Sequence, residues 1–507
     1  MSRKTSGRTL KLSAAVLFLL YFLALATARR NGPNLDGPAG KAPRYWDDAA
    51  LAGMDVPLAD PQVPLVHARA SDYYRIPARQ LVKTYPIYTP GKEPPGYMDW
   101  LKQQDVQLAF DPAKLKTDAD WIAAGETVFE APITINSHSR LDYVRDPEWY
   151  RANKVPVTAD GIMPFYRYII RKKGTVEIGE FSCAMCHTRV MPDGAVIKGA
   201  QGNFPFDRVL AYSFRAQQYG VEKVRVLDRI LFAAPWAKDD PNSRISKMSF
   251  EEIAAAHEAI PPGVMTRFGT SLFYPPQVPD LIGVKDRKYL DHTGLVRQRT
   301  IEDLMRYSAI NQGGDVLDHF GDFSPVPAIP NLANLARYSD EEAYALALYL
   351  YSLAPPPNPN KFGALAARGQ RIFESEGCSM CHTPPLYTSN KLTPAEGFTP
   401  RPDSMDKLDI IPICLGTDSN LALNSRRGTG YYKIPSLKGV WYRGPFEHNG
   451  SVATLEDWFD PRRLRDDYVP TGFKGYGSRT RAVKGHRFGL DLAEPDRKAL
   501  IAFLKTL

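Results

Sequence analysis

The chain reads F-S-C-A-M-C-H-T at residues 181–188 and G-C-S-M-C-H-T at residues 377–383. Each stretch sets two cysteines three positions apart with a histidine directly behind the second. These pairs, Cys183/Cys186 and Cys378/Cys381, use four of the five cysteines; the fifth, Cys414, lies in the apolar run I-I-P-I-C-L and is expected as a buried structural thiol. Cys-x-x-Cys-His is the attachment sequence of haem c. The two intervening residues turn the chain so that both sulfurs reach the vinyl groups of one porphyrin, and the adjacent histidine ligates its iron. His187 and His382 are thus the expected axial ligands, and two haem c groups the expected cofactors. The rival readings are weaker. The two pairs are too far apart in the chain for a compact zinc ribbon, and neither sits in the βαβ context of a thioredoxin-like redox pair.

Outward from the two loops, the chain repeats itself. W-I-A-A-G-E-T-V-F-E (121–130) precedes the first and L-A-A-R-G-Q-R-I-F-E (365–374) the second. They align at Ala123/Ala367, Gly125/Gly369, Phe129/Phe373 and Glu130/Glu374, with the apolar spacing of amphipathic helices. Phe373 stands five residues before Cys378 but Phe129 stands 54 before Cys183, so the first copy carries an insertion of about 49 residues. Behind the loops, Y-A-L-A-L-Y-L-Y-S-L (344–353) aligns with K-A-L-I-A-F-L-K-T-L (498–507). Ser339 with Glu342 predicts a capping box for the former, and Pro495 fits the first turn of the latter. Helix, haem loop and closing helix is the plan of a cytochrome c, written twice.

The expected class is therefore mainly α: two cytochrome c-like haem domains with long irregular loops and a proline-rich amino-terminal extension. Residues 1–28 have a basic start, a 13-residue apolar run from Ala14 to Ala26 and an Ala26-Thr27-Ala28 cleavage site, the signature of a signal peptide or an uncleaved amino-terminal anchor. Residues 29–117 form the proline-rich extension, 118–353 the enlarged first domain with the catalytic haem, 354–360 (A-P-P-P-N-P-N) a semi-rigid linker and 361–507 the second domain with the electron-transfer haem. The expected location is periplasmic or secreted, with membrane anchoring by the amino terminus as the alternative. The net charge of +8 falls to +4 once the four basic residues of 1–28 are removed, and no basic block stands out, which argues against nucleic acid.

Y-K-I-P-S-L-K-G-V-W-Y-R-G-P-F-E-H-N-G-S-V-A-T-L-E-D (432–457) resembles a run shared by the bacterial di-haem cytochrome c peroxidases and the methylamine-utilisation di-haem enzyme. There, lysine or arginine-x-Pro-x-Leu-Arg-Asn-Val is followed by a His-Asp-Gly-Ser element. P-D-L-I-G-V-K-D-R-K-Y-L-D-H-T-G (279–294) is similar to the family segment that closes the first haem pocket. The resemblance spans roughly 118–507 and is more specific in the second half. It implies an oxidoreductase acting on H₂O₂ or O₂, with a redox partner protein as electron donor. The family's methionine ligand to the second haem falls on Arg462; instead K-G-H-R-F-G-L-D-L (484–492) and G-T-G-Y-Y-K (428–433) resemble the di-haem rubber oxygenase branch, which implies His486 as that sixth ligand.

The same resemblance gives His448 a place between the haem domains, orienting or bonding a propionate, with a packed loop histidine as the bland alternative. The stretch T-R-F-G-T-S-L-F-Y (266–274) lacks the histidine with which the peroxidases approach the first haem. Phe268 and Phe273 would then roof an open iron, or simply be core aromatics; Met248, Met265 or Met305 could close it as sixth ligand. A calcium ion, common between the domains of relatives, is doubtful because its asparagine is Gly283 here. His67, His138, His257, His292 and His319 are expected to be structural. Three activities compete: peroxidase, dioxygenase on an apolar organic compound, and simple electron carrier.

Overall fold

The computed structural model of the chain describes residues 42–136, 143–313, 317–326, 332 and 335–507. Residues 1–28, the start of the proline-rich extension and His138 lie outside the described residues. Four helices frame the two loops: α1 (Asp118–Glu130), α2 (Asp340–Ser352), α3 (Ala364–Ser375) and α4 (Glu494–Leu504). Reciprocal capping boxes start α1 (Thr117 with Asp120) and α2 (Ser339 with Glu342), and Pro495 occupies the first turn of α4.

α1 packs on α2, and α3 on α4. The two pairs meet the same way, at a glycine. A Cβ built on Gly125 would collide with the carbonyl oxygen of Ala345 and lie 2.7 Å from Cβ of Tyr349. On Gly369 it would collide with the carbonyl of Ala499 and lie 2.8 Å from Cβ of Phe503. Next to each contact an aromatic pair fills the seam, Phe129–Tyr349 at 5.3 Å between ring centroids and Phe373–Phe503 at 5.4 Å. Val128, Phe129, Leu346 and Leu350 share a core with Tyr45, Trp46, Met54 and Tyr73; Ala366, Phe373, Leu500 and Phe503 share another with Val440 and Leu455.

The class is mixed α/β rather than mainly α, with 36% helix and 12% strand. The largest sheet draws three of its four strands from the insertion before the first loop. Strands β1 (Thr84–Tyr88), β2 (Thr134–Asn136), β3 (Ile162–Lys172) and β4 (Thr175–Glu180) form an antiparallel sheet in the order β1-β3-β4-β2. Tyr85 faces Tyr168, Tyr168 faces Ile178 and Ile135 faces Gly179. Aromatic and β-branched residues such as those of F-Y-R-Y-I-I (165–170) suit a pleated, half-buried surface. Ile87, Met163, Phe165 and Ile178 pack against Trp149 and Met185, and β4 ends three residues before Cys183. The sheet thus delivers the first loop.

In the second half, β5 (Leu392–Pro394) pairs antiparallel with β6 (Tyr431–Lys433), and Val56 and Tyr289 from the first half pack on Leu392 and Tyr431. Cys414 is exposed, not buried as its neighbours suggest; the segment 411–418 forms no regular element, and Ile413 beside it is 57% exposed. Among the described residues no helix is long and apolar enough to cross a membrane.

Gly369→Ala tests the close helix contact. Alanine favours a helix by about 1 kcal/mol, yet its Cβ must displace the Ala499 carbonyl, so we expect a net loss of about 1–3 kcal/mol in urea unfolding. Unchanged or raised stability would contradict the contact.

Candidate functional site

The first loop is a single helical turn, Cys183–Cys186, capped by Ser182, whose hydroxyl accepts from the Met185 amide at 3.1 Å. The His187 amide returns to the Cys183 carbonyl at 2.9 Å, which turns the imidazole out of the loop. The second loop uses a 3₁₀ turn, Cys378–Met380, entered through Gly377 at φ 75°. There too the histidine amide, that of His382, bonds the first cysteine's carbonyl at 2.9 Å.

Each histidine is then held through one ring nitrogen. Nδ1 of His187 lies 3.0 Å from the Pro279 carbonyl; Nδ1 of His382 lies 3.1 Å from that of Pro435 and 3.2 Å from that of Tyr387. A carbonyl can only accept, so Nδ1 carries the proton and Nε2 keeps its lone pair, as a metal-binding imidazole requires. Burial pushes His187 down to about 4 and lowers His382 as well, so both rings are neutral near pH 7. Burial raises the cysteines, Cys186 to about 12 and Cys378 to about 11; such thiols are protonated, unlike the thiolates of a metal cluster. Among the described residues no group of three or more histidine, cysteine or acidic side chains could hold a metal ion.

Each loop opens on a cavity. The first, about 1070 Å³, is lined by Cys183, Cys186, His187, Met265, Arg267 and Phe268. The second, about 270 Å³, is lined by Cys378, Cys381, His382, His448, Trp458 and His486. His382 and His486 thus border one cavity. Burial, with the nearby His382 and Arg463, lowers His486 to about 4; its Nδ1 is buried without a hydrogen-bond partner. Two cysteines and two neutral imidazoles bordering one cavity are a donor set that fits a haem. His448 also borders this cavity, with Nδ1 3.0 Å from Glu447.

The loop bearing His486 is clamped by Arg463, which is fully buried. Its guanidinium donates to the carbonyls of Trp458 (2.8 Å), Val483 (2.8 Å) and His486 (2.7 Å) and lies over the Trp458 ring. The sequence reading stopped at its neighbour Arg462, which is exposed and paired with Asp460.

Among the described residues, His187 is the only histidine lining the first cavity, and Met265 lines it too. Met248 and Met305 sit in packed cores, outside that lining. Phe273 lies outside it as well: its ring is covered by Arg244 at 3.9 Å. The remaining described histidines all have partners: His67 with Asp55 and Asp318, His257 with Asp207, His292 with the Gln277 carbonyl and His319 with Ser324.

One of these supports the first cavity. Asp207 bonds both Nδ1 of His257 (2.8 Å) and the Thr266 amide (2.8 Å), and so holds the strand of chain that carries Met265 and Arg267. Burial opposes charge on His257, but Asp207 and Asp228 outweigh it and raise the imidazole to about 9.

No family model matches the chain. Over 165 residues it is 28% identical to cytochrome-c peroxidase IdrP1 of Denitromonas iodatirespirans, covering 28% of this chain and 40% of that protein. Over 150 residues it is 27% identical to methylamine utilization protein MauG of Methylorubrum extorquens, covering 29% of this chain and 35% of that one. These relatives support the di-haem peroxidase/MauG superfamily. The matches span well under half of each relative's length. Two solved structures are similar over more of the chain: hydrazine synthase of Kuenenia stuttgartiensis (TM-score 0.31, 15% identity, 55% of this chain and 86% of that one) and a MauG-like protein associated with microbial copper homeostasis (0.29, 15%, 56% and 88%).

His257 gives the site a pH dependence. Its folded value of about 9 lies above the ordinary value of about 6.5, so its contribution is full below pH ~6.5 and is lost as pH rises through about 9. Urea unfolding of the wild type should weaken over that window, and His257→Gln should flatten that part of the profile; an unchanged slope would contradict the assignment.

Proposed function

We propose that the protein is an exported di-haem c-type oxidoreductase whose two haem sites have unequal roles. Cys183 and Cys186 tether one haem with His187 as its only protein ligand. Cys378 and Cys381 tether the other, with His382 and His486 on its two faces. Residues 118–353 and 361–507 are the two haem domains, joined by 354–360 and preceded by the extension 29–117. Residues 1–28 direct export to the periplasm or beyond, or anchor the chain to the membrane that it crosses.

The observation that carries this reading is the inequality of the cavities. Each is bordered by its own Cys-x-x-Cys-His loop, yet one holds about 1070 Å³ and the other about 270 Å³. The second brings an additional imidazole, His486, to its cysteines and His382. In the first, the described lining holds no second histidine, and the surplus volume leaves room for a small oxidant. When bound, a haem with a vacant position supplies the redox chemistry of peroxide or dioxygen. The chain's own part is to tether, orient and exclude. The cysteines anchor, the Pro279 and Pro435 carbonyls set the tautomer of the proximal imidazoles, and Phe268 turns an apolar face to the first cavity.

The preferred reaction is peroxidase-like: one H₂O₂ takes two electrons and two protons to give two waters, with a redox partner protein feeding electrons through the His382/His486 site. The size of the first cavity favours a second reading, dioxygenase action on an apolar organic compound held beside the oxidant.

Electron paramagnetic resonance of the oxidised holoprotein tests the asymmetry. One high-spin and one low-spin ferric signal are expected. His486→Ala should convert the low-spin signal alone, and Met265→Leu should change neither. Two low-spin signals in the wild type would leave only the electron carrier, and a low-spin signal that needs Met265 would identify that residue as the ligand closing the first site.

A further inference from the structure

The two cavities share a wall. Gln277, Pro279, Arg287 and Lys433 line both of them. The wall is built from the segment 277–292 of the first half and the end of β6 of the second, joined where the Lys433 amide donates to the His292 carbonyl at 2.9 Å. The Pro279 carbonyl that orients His187 belongs to the same segment, and Pro435, which orients His382, follows Lys433 by two residues.

The charges of this wall do not balance. Asp291 is taken by Arg427 at 3.1 Å and by Arg267, with the Tyr307 hydroxyl at 2.9 Å; against the opposing effect of burial, the two arginines hold it below the usual carboxylate range. Asp280 accepts from the Tyr442 hydroxyl at 2.9 Å and faces Arg443 at 3.9 Å. Two cations are left over. Arg287 donates only to backbone, to the carbonyls of Asp280 and Ile282. Lys433 makes no ammonium hydrogen bond or ion pair with any described residue, and its side chain borders both cavities. Burial and Arg287, then Arg267 and Arg443, press its ammonium down to about 7 against the opposing attraction of Asp291, which Arg267 and Arg427 already hold. A desolvated cation without a partner is unfavourable, so a site of this kind calls for an anion from one or both cavities.

We infer that Lys433 and Arg287 form a cationic bridge that receives carboxylates of both haem groups and so ties the two redox sites together. This rests on the proposal that each loop holds a haem, whose propionates are the anions that the two cavities would bring to the wall. Lys433 and Arg287 are positioning and tuning residues, since a cation beside a haem favours its reduced, less positive state. Shared by two haems, they set both potentials together. The same surplus of positive charge is the opposite of what a divalent cation between the domains requires.

The test is spectropotentiometric titration of haem-loaded wild type, Lys433→Gln and Lys433→Arg. Lys433→Gln should move both potentials to more negative values by at least a tenfold change in each reduction equilibrium, 59 mV for a one-electron couple. Lys433→Arg should restore both. A shift confined to one haem, or none, overturns the bridge. If Lys433→Gln does not load with haem, Arg287→Gln decides by the same criterion, and if that also fails to load, Lys433→Arg does: wild-type potentials for both haems uphold the bridge, and a shift in either overturns it. Fewer than two haems in the wild type is a separate outcome that would instead end the two-haem proposal.

Discussion

Two backbones touch in this fold where most helices are kept apart by side chains. At Gly125 and again at Gly369 one helix of a pair lies so close to the carbonyl of the other, at Ala345 and Ala499, that no Cβ fits. Everything else follows from that approach. It lets short amphipathic helices bury an aromatic seam, Phe129 on Tyr349 and Phe373 on Phe503, and it brackets the loop that each pair carries. Because the contact occurs twice with equivalent residues, the chain has two versions of one helix-and-loop plan, and their differences become informative.

The differences lie in what surrounds the loops. The second is closed in by a carboxyl-terminal segment clamped through Arg463, which brings His486 to the cavity of His382. The first is delivered by a four-stranded sheet and opens on a cavity about four times larger. Between them runs the segment 277–292, which orients His187 through Pro279 and meets β6 at Lys433. A single wall thus touches both sites.

Much of the frame was legible in the sequence because it is local. The cysteine spacing, the repeated Ala-x-Gly-x-x-x-Phe pattern and the capping residues act over a few positions, and the helices fall where that pattern puts them. The sheet was not foreseen, since its strands come from an insertion and from the amino-terminal extension, and pairings such as Tyr85 with Tyr168 leave no short-range mark. Cys414 shows the opposite failure: apolar neighbours suggested burial, but a segment without regular structure left them at the surface. Phe273 lies only five residues from Phe268 yet falls outside the first cavity, because the chain turns between them at Gly269, φ 76°. The roles of Arg463 and Lys433 were out of reach for a further reason. Both depend on what a buried cation lacks or finds across the fold, at carbonyls 20 and 23 residues away for Arg463 and at an anion absent from the chain for Lys433.

The claim beneath this account is that each loop binds its own porphyrin through thioethers. Intact-mass spectrometry of the denatured holoprotein measures it directly. The account predicts a mass increase of two haem groups in the wild type, and of one when Cys183 and Cys186, or Cys378 and Cys381, are replaced by alanine. A wild-type mass carrying one haem or none, or a pair of cysteines whose loss leaves the mass increase unchanged, would contradict it.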